Sequence, residues 1–295
     1  MAVLALAACA RRERAAPGAA SSVTDDWNRS VALAAPARRI VSLAPASTEL
    51  VFALGLGERL VGRTTWCDYP DSARHVPDVG NGIGPNVEAI AAQRPDLVLL
   101  YASEANRAAE QQLARLGIGV AVLSLDLAAD VRRAARTIGA LAGRAAAADS
   151  LVIRFDTALA AASRRRDASA ARPPVRVYVD VEGNPPITIG AGSYLSEIVA
   201  AAGARNVFDD IRGGSGIVSL EAVARRDPDV ILVLSSDTTR APRLERRPGW
   251  RTIRAVRDNR VLVLDGRLYG RPSPRMPQAV RDLAERLARL RSGTE

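Results

Sequence analysis

The residue types that catalysis most often needs are scarce in this chain. All 41 basic residues are arginine, and His75 is the only histidine. The lack of lysine removes Schiff-base chemistry and the phosphate-binding lysine of a P-loop, and a single histidine is too few for a multi-histidine metal site. A Ser-His-Asp triad would have to use His75, but no Gly-x-Ser-x-Gly motif accompanies it. The sequence therefore favours a protein that is not an enzyme and has no cofactor of its own.

Two glycine pairs fail as a dinucleotide fingerprint. Gly190-Ala-Gly192 and Gly80-Asn-Gly82 are followed, at the position where the third glycine is needed, by Leu195 and Pro85. This argues against a cofactor-dependent enzyme built on two Rossmann-like lobes. A signalling or structural module that binds no ligand stays open as another alternative.

Two glutamates stand at equivalent places in a repeated segment. Residues 87–100 read VEAIAAQRPDLVLL and residues 220–233 read LEAVARRDPDVILV, aligned without a gap at an offset of 133, so that Glu88 matches Glu221. Each copy predicts a short helix, a Pro-Asp turn and a buried strand. A chain that repeats such a unit is expected to have two similar lobes.

The two copies differ in the loops that precede the repeat. Residues 57–61 (GERLV) match residues 203–207 (GARNV) at an offset of 146, so the first copy holds 13 more residues. The excess falls around residues 66–70 (WCDYP) and residues 80–85 (GNGIGP). Loops that differ on a shared scaffold are candidates for function.

The remaining elements alternate between strand and helix. Predicted strands cover residues 39–44, 60–64, 96–101, 119–125, 175–181, 230–235 and 260–264. Predicted helices begin near Ser47, Asn86 and Ala105, and a final one runs from Pro277 to Leu290. This alternation predicts mostly parallel sheets covered by helices on both faces.

One long helix is expected between the lobes. Leu151, Phe155 and Leu159 recur four residues apart, and no glycine or proline interrupts residues 144–166. As a single helix this segment would be about 35 Å long. The expected organisation is a signal and flexible tether (1–37), an N-terminal α/β lobe (38–142), a rigid interlobe helix (143–170) and a C-terminal α/β lobe (171–295).

Composition and the N-terminus bear on where the protein works. The net charge of +9 is scattered and only 4% of the 295 residues are aromatic, which opposes a nucleic-acid partner. Leu6-Ala-Ala-Cys9 has the form of a lipobox, which predicts a lipid anchor on Cys9 at a membrane surface outside the cytoplasm. An ordinary secretory signal remnant is the alternative. With Cys9 lipidated, Cys67 has no partner for an intramolecular disulfide.

These residues together resemble a known family, the helical-backbone (class III) solute-binding proteins of ABC transporters. The family captures cobalamin, haem or ferric siderophores, and the nearest likeness is to the periplasmic cobalamin-binding proteins. The resemblance covers residues 38–290. The matching strings are SLAPASTE (42–49), DYP (68–70), PNVE (85–88), RPDLV (94–98), NPP (184–186) and RPSPR (271–275).

The resemblance implies a partner for the paired glutamates. In the family, one exposed carboxylate on each lobe meets arginines on the two permease subunits of an importer that also carries ATPase subunits. Glu88 and Glu221 are expected to do the same. A simpler role also fits, because each follows a capping Asn86 or Ser219 at a helix N-terminus, where a negative charge is stabilising.

The resemblance also implies a ligand site in the cleft between the lobes. Trp66 and Tyr69 are expected to pack on a bulky amphipathic ligand, because rigid aromatic surfaces suit such a molecule. In the second lobe, residues 267–271 match the family's other ligand loop; they are Arg267, Leu268, Tyr269, Gly270 and Arg271. Tyr269 is the stacking candidate and Arg271 a partner for an anion or hydrogen bond, with a core role for Trp66 and a salt bridge for Arg271 as alternatives.

The expected cargo is cobalamin or a related corrinoid. This chain lacks aromatics that cobalamin-binding relatives carry just before each docking glutamate and after the Asn-Pro-Pro string, where it has Gly82, Ser215 and Ile187. Haem or a ferric siderophore is therefore the alternative cargo. For haem, the candidate axial ligands are Tyr69, Tyr101, Tyr269 and His75.

Overall fold

The computed structural model describes residues 21–167, 173–181, 183–235 and 243–292. The strands are β1 (Ser21–Thr24), β2 (Ser30–Leu33), β3 (Ile40–Ser42), β4 (Leu60–Arg63), β5 (Leu97–Tyr101), β6 (Gly119–Leu123), β7 (Val175–Asp180), β8 (Ile187–Ile189), β9 (Ala204–Asn206), β10 (Ser215–Ile217), β11 (Val230–Ser235) and β12 (Val261–Asp265). The helices are α1 (Pro45–Ala53), α2 (Val87–Ala92), α3 (Arg107–Arg115), α4 (Ala128–Leu141), α5 (Ala145–Asp167), α6 (Tyr194–Ala201), α7 (Leu220–Arg226), α8 (Arg254–Arg257), α9 (Gly266–Tyr269) and α10 (Met276–Ser292).

Each lobe is built on a parallel sheet of four strands. The first sheet has the order β4-β3-β5-β6 and the second the order β12-β11-β7-β9. Their central strands are almost fully buried, as the apolar run of β5 and that of β11 require when helices cover both faces of a sheet. The predicted α/β architecture of two lobes with parallel sheets is confirmed, and the predicted strands lie within two residues of the observed ones.

The repeated segment has the same backbone in both lobes. α2 leads into β5 and α7 leads into β11. The residue before the proline has a positive φ in each copy, 48° at Arg94 and 41° at Asp227. The aspartate after the proline then accepts a hydrogen bond from the start of the neighbouring strand region, Asp96 from Arg39 N at 3.0 Å and Asp229 from Arg176 N at 2.9 Å. The Pro-Asp pair thus fixes the turn in both copies.

Helix α5 joins the two lobes along one face. Its residues Ala148, Val152 and Phe155 are buried in an apolar cluster that also contains residues of both sheets. The helix packs on α4 from the first lobe and α10 from the second. The predicted single long helix between the lobes is therefore present, and a shared core of this kind resists deformation.

The flexible tether predicted for residues 1–37 is wrong for part of its length. β1 and β2 form an antiparallel hairpin. Val31 and Leu33 are buried in the core, and Asp25 accepts a hydrogen bond from Val122 N of β6 at 3.2 Å. The sequence did not predict β2, because a strand of four residues with only two buried side chains is too short for a clear period-two pattern. Cys9 lies outside the described residues.

No helix within the described ranges is long and apolar enough to cross a membrane.

Candidate functional site

The loops at the carboxyl ends of the strands meet between the two lobes. In parallel α/β sheets this edge is where ligands bind, because the connecting loops diverge there and leave a crevice. Trp66 follows β4, Tyr101 ends β5 and Asp126 follows β6, while Arg267 follows β12 of the second lobe. All four line the resulting cleft, which has two compartments.

The apolar compartment has a volume of about 550 Å³. Its walls include Leu43, Trp66, Ile83, Tyr101, Leu125 and Tyr194. Gly82 forms part of the lining, and a Cβ at this position would lie 2.0 Å from the carbonyl oxygen of Leu43. The close approach of two backbone segments therefore requires glycine there.

The basic compartment has a volume of about 720 Å³. Four arginines line it together with one carboxylate; they are Arg63, Arg74, Arg267 and Arg271, with Asp68. Trp66, Gly270 and Arg271 line both compartments and so form the boundary between them. The cleft thus has an apolar part and a positively charged part that adjoin each other.

Trp66 occupies the position that the sequence predicts. Its side chain is 68% exposed, which excludes the alternative of a core tryptophan. Exposure of such a large apolar surface in a concave site is the usual mark of a contact with a ligand or partner. Cys67, the next residue, is fully buried and lies 3.1 Å from Thr64 Oγ1, so it has a packing role.

Tyr69 is beside the cleft, and one face of its ring packs against Arg275. The guanidinium carbon of Arg275 lies 3.7 Å from the ring centroid. The side chain is 41% exposed but is not among the residues that line either compartment. The structure thus places it next to the predicted ligand surface, with one face occupied by a cation.

The prediction that Tyr269 stacks on a ligand is wrong. Tyr269 is 1% exposed, and its hydroxyl lies 2.7 Å from Asp282 Oδ2 and 3.0 Å from the carbonyl oxygen of Ala279. Burial first, and then the hydrogen bond to Asp282, raises the pKa of this phenol far above its usual range. The one-turn helix α9 directs the ring towards α10 and leaves only Gly270 and Arg271 of this turn facing the apolar compartment.

The other residues of the predicted second-lobe loop divide between cleft and core. Arg267 is exposed in the basic compartment, while Leu268 packs against the main apolar cluster. Gly270 lines both compartments, and a Cβ here would lie 2.3 Å from the carbonyl oxygen of Gly266. A side chain at Gly270 would thus disturb the turn that carries Arg271.

Arginines of the second lobe pair with carboxylates of the first. Arg275 binds Glu49 through two hydrogen bonds of 2.6 and 2.8 Å, and Glu49 is only 3% exposed. Arg271 Nη1 lies 3.0 Å from Asp68 Oδ1 and 3.8 Å from Glu49. Of the two roles left open for Arg271, the interlobe salt bridge is the one the structure contains. We call Glu49, Asp68, Arg271 and Arg275 the interlobe network.

Two cleft residues, Asp126 and Tyr194, were missed by sequence reasoning, and Tyr101 was considered only as an axial ligand for haem. All three line the apolar compartment. The Tyr101 hydroxyl donates a hydrogen bond of 2.8 Å to Asp126, and the Tyr194 hydroxyl donates one of 2.9 Å to the carbonyl oxygen of Tyr269. Tyr101 and Asp126 each stand at the carboxyl end of a strand, a position that the strand assignment alone could have singled out.

The phenol of Tyr101 is held in its neutral form. Its pKa is raised to about 12, first by burial and then by the hydrogen bond to the carboxylate of Asp126. A negative charge on the phenol would lie next to that of Asp126, so the pair is stable only with the proton present. At neutral pH Tyr101 therefore offers a donor and an apolar ring, not a phenolate.

Comparison with known proteins places this geometry in a family. The family model described as "Periplasmic binding protein" matches residues 40–268, which is most of the chain. The chain belongs to the periplasmic binding protein family. Members are the substrate-binding subunits of ABC importers; they act outside the cytoplasm, work with a permease and an ATPase, and are not enzymes.

Relatives of this periplasmic binding protein differ in what their names say they bind. An uncharacterized ABC transporter substrate-binding lipoprotein from Bacillus subtilis is 31% identical over 90% of this chain and 84% of its own length. A vitamin B12-binding protein from Yersinia pestis is also 31% identical, over 86% of this chain and 88% of its own. A solved structure of the periplasmic heme-binding protein BhuT with two hemes is 31% identical, with a TM-score of 0.75 over 85% and 97% of the two chains. Identity alone therefore does not separate the candidate ligands.

Glu88 and Glu221 are exposed at equivalent positions of this periplasmic binding protein. Each is the second residue of its helix, and the cap residues Asn86 and Ser219 accept hydrogen bonds of 3.0 and 3.1 Å from Ala89 N and Ala222 N. The pKa of Glu221 is lowered by hydrogen bonds to its own backbone N–H and to the Ser219 side chain. Because both helices start at the carboxyl edge of their sheets, both charges lie on the edge that carries the cleft.

Proposed function

We propose that this protein captures cobalamin or a related corrinoid in the interlobe cleft and delivers it to an ABC importer. The observation that carries the proposal is the exposed Trp66 at the boundary of a wide, two-part cleft. A rigid aromatic surface with a few polar groups around it suits a large chelate that has an apolar ring system and a polar rim.

The cleft is suited to a bulky ligand without much closure. Its compartments, of about 550 and 720 Å³, each reach the size of a typical small-molecule pocket, and they adjoin at Trp66 and Gly270. Helix α5 and the interlobe network join the lobes and fix the distance between them. A preformed site of this kind loses little free energy to ordering when the ligand binds.

Haem is the second candidate, favoured by the likeness to a heme-binding structure. Haem needs an axial ligand from the protein. Of the four candidates Tyr69, Tyr101, Tyr269 and His75, the one that lines the apolar compartment is Tyr101. Its hydroxyl is already bonded to Asp126 and its pKa is raised to about 12, which opposes a bond from phenolate to iron. A corrinoid, whose cobalt can carry its own axial ligands, makes no such demand.

We also propose that Glu88 and Glu221 align the protein on the two permease subunits. Two exposed carboxylates, one on each lobe and each at the second position of its helix, suit a partner with two similar subunits. Charges at the rim of such an interface mainly steer the encounter and fix its register. The helix-capping role and the docking role use the same charge and are compatible.

The membrane attachment is proposed from the sequence and one relative. The lipobox ending at Cys9 predicts lipidation, and the Bacillus subtilis relative is named a lipoprotein. A single lipid anchor with nearby arginines would hold the protein at an anionic membrane surface.

Titration of the purified protein with cyanocobalamin, haemin and ferric siderophores tests the proposal. Calorimetry should give a Kd for cyanocobalamin below about 10 µM, which corresponds to about −7 kcal/mol. Tighter binding of haemin, with an iron–phenolate absorption band that Tyr101→Phe removes, would replace the corrinoid by haem. Failure of all three ligands to bind would overturn the importer function in this form.

A further inference from the structure

Two exposed arginines flank Asp68 in the basic compartment. Arg74 Nε lies 3.3 Å from the carbonyl oxygen of Asp68, and Arg267 Nε lies 3.3 Å from its Oδ2. Their side chains are 44% and 54% exposed. Both contacts use the Nε atom. Arg74 Nε also lies 3.9 Å from Oδ1 of the exposed Asp71. Among the described residues, no hydrogen bond uses the terminal Nη groups of Arg74 and Arg267.

The two inner arginines of this compartment are already committed. Arg63 donates to the carbonyl oxygens of Ala73, Thr64 and Arg74, and its side chain is 13% exposed. Arg271, 12% exposed, belongs to the interlobe network. They contribute positive potential, while the free donors belong to Arg74 and Arg267. A guanidinium has five N–H donors in a planar fork that matches the oxygens of a carboxylate or phosphate.

The charge of the cleft differs between its ends. Four arginines and one aspartate line the basic compartment. In the apolar compartment the carboxylate of Asp126 is exposed beside Tyr101, and the arginine present there is the paired Arg271. A ligand that spans both compartments meets an acceptor for N–H groups at one end and free cationic donors at the other.

We propose that Arg74 and Arg267 form an anion subsite that takes a phosphate or carboxylate carried by the ligand whose apolar body lies on Trp66. The inference rests on the proposed function and deepens it. For a corrinoid, the anion is the phosphodiester of the nucleotide tail, and the amide side chains at the opposite edge of the ring face Asp126. The subsite thus sets the orientation of the ligand as well as part of its affinity.

The test compares ligands that differ in the phosphate. Cyanocobalamin carries the nucleotide tail with its phosphate and dicyanocobinamide lacks both. Binding of dicyanocobinamide by each variant is therefore the control for its binding of cyanocobalamin. Arg74→Gln and Arg267→Gln should each weaken binding of cyanocobalamin about 3- to 10-fold, and the double variant about 30-fold, whereas the affinity for dicyanocobinamide should change less than 2-fold. The difference in cyanocobalamin affinity between wild type and each variant should become smaller as the salt concentration rises, because screening weakens the anion contact in the wild type.

Two further variants separate the subsite from general damage. Arg267→Lys keeps the charge and should recover part of the lost affinity for cyanocobalamin. Arg205→Gln removes another exposed arginine of the second lobe whose Nε pairs with an aspartate, Asp209 at 3.0 Å, and should leave both affinities unchanged. The thermal unfolding midpoint of each variant checks that the fold is intact.

Each other outcome has a definite meaning. Equal losses for the two corrinoids, or none for either, would overturn the anion subsite while leaving the proposed function in place. If wild type binds neither corrinoid but binds haemin, and the double variant weakens haemin about 30-fold, the subsite is supported with a carboxylate as its anion and the corrinoid proposal fails. If wild type binds neither corrinoid but binds haemin, and the double variant binds haemin equally well, both the anion subsite and the corrinoid proposal fail.

Discussion

At the scale of single residues, the two aromatics that the sequence singled out most strongly have opposite roles. Trp66 is exposed at the cleft, and Tyr269 is a core residue bonded to Asp282. Trp66 lies just before the string DYP and Tyr269 lies in the loop that matches the family's second ligand loop, so pattern alone gave them equal weight. What separates them is the one-turn helix Gly266–Tyr269, which turns one ring inward. The direction of a side chain at the end of so short a helix depends on tertiary packing, which the sequence pattern does not contain.

Trp66→Ala should weaken ligand binding at least tenfold. Removing the indole takes away the largest exposed apolar surface of the cleft, and a loss of about 1.4 kcal/mol already corresponds to a factor of ten. The matched control is Ile153→Ala on α5, because Ile153 is 65% exposed and lies outside the cleft. Calorimetric titration with cyanocobalamin measures both, and equal affinities for the two variants would contradict the role of Trp66.

Tyr269→Phe should lower stability and leave ligand affinity unchanged. The variant keeps the ring in the core and removes the hydroxyl that binds Asp282, which costs about 1 kcal/mol. For a chain of this size the midpoint of thermal unfolding should fall by about 2–4 °C. Calorimetry of unfolding and of ligand binding on the same sample makes the comparison. A tenfold loss of affinity would restore Tyr269 as a ligand contact.

At the scale of elements, most of the architecture could be predicted from the sequence, but most of the contacts between the lobes could not. The repeat and the alternation of strands and helices predict both sheets, because periodicity is a local signal. The pair Glu49–Arg275 joins α1 to the turn before α10 across 226 residues, and Asp68–Arg271 spans 203. Both arginines lie in one family string, and Glu49 in another. Their pairing is a property of the folded lobes and had no local signature.

Arg275→Met should destabilise the protein by about 3–5 kcal/mol, because it leaves the carboxylate of Glu49 buried without its partner. The double variant Glu49→Leu/Arg275→Met should recover most of this loss, since a buried ion pair can be replaced by apolar side chains at little cost. The exposed pair Arg136–Asp149 is the control, and Arg136→Gln should cost less than about 1 kcal/mol. Urea unfolding measures the four proteins. A single-variant loss no larger than that of the control would show that the pair does not hold the lobes together.

At the scale of the whole molecule, the repeated helix-turn-strand unit explains both what the lobes share and what they do not. The shared part positions a capped glutamate on each lobe at the cleft edge, as the left-handed residues Arg94 and Asp227 and the caps Asn86 and Ser219 show. The unshared loop around Trp66 lines the cleft in which we propose that the ligand binds. This separation predicts that docking and ligand binding can be changed independently.

Glu88→Arg with Glu221→Arg should abolish uptake while ligand binding stays within about twofold of wild type. The reversed charges would face the cationic groups that the proposed docking requires, and like charges across an interface cost several kcal/mol. Each single variant should lose part of the uptake, because one lobe still carries its carboxylate. Glu104→Arg is the control, since Glu104 is an exposed glutamate of the first lobe whose side chain is 80% exposed and pairs only with the neighbouring Arg107 among the described residues. The measurement is accumulation of labelled cyanocobalamin by cells whose own copy carries each variant, together with calorimetry on the purified proteins. Normal uptake by the double variant would refute docking through these residues, and loss of ligand binding in the same variant would show that the two functions are not separate.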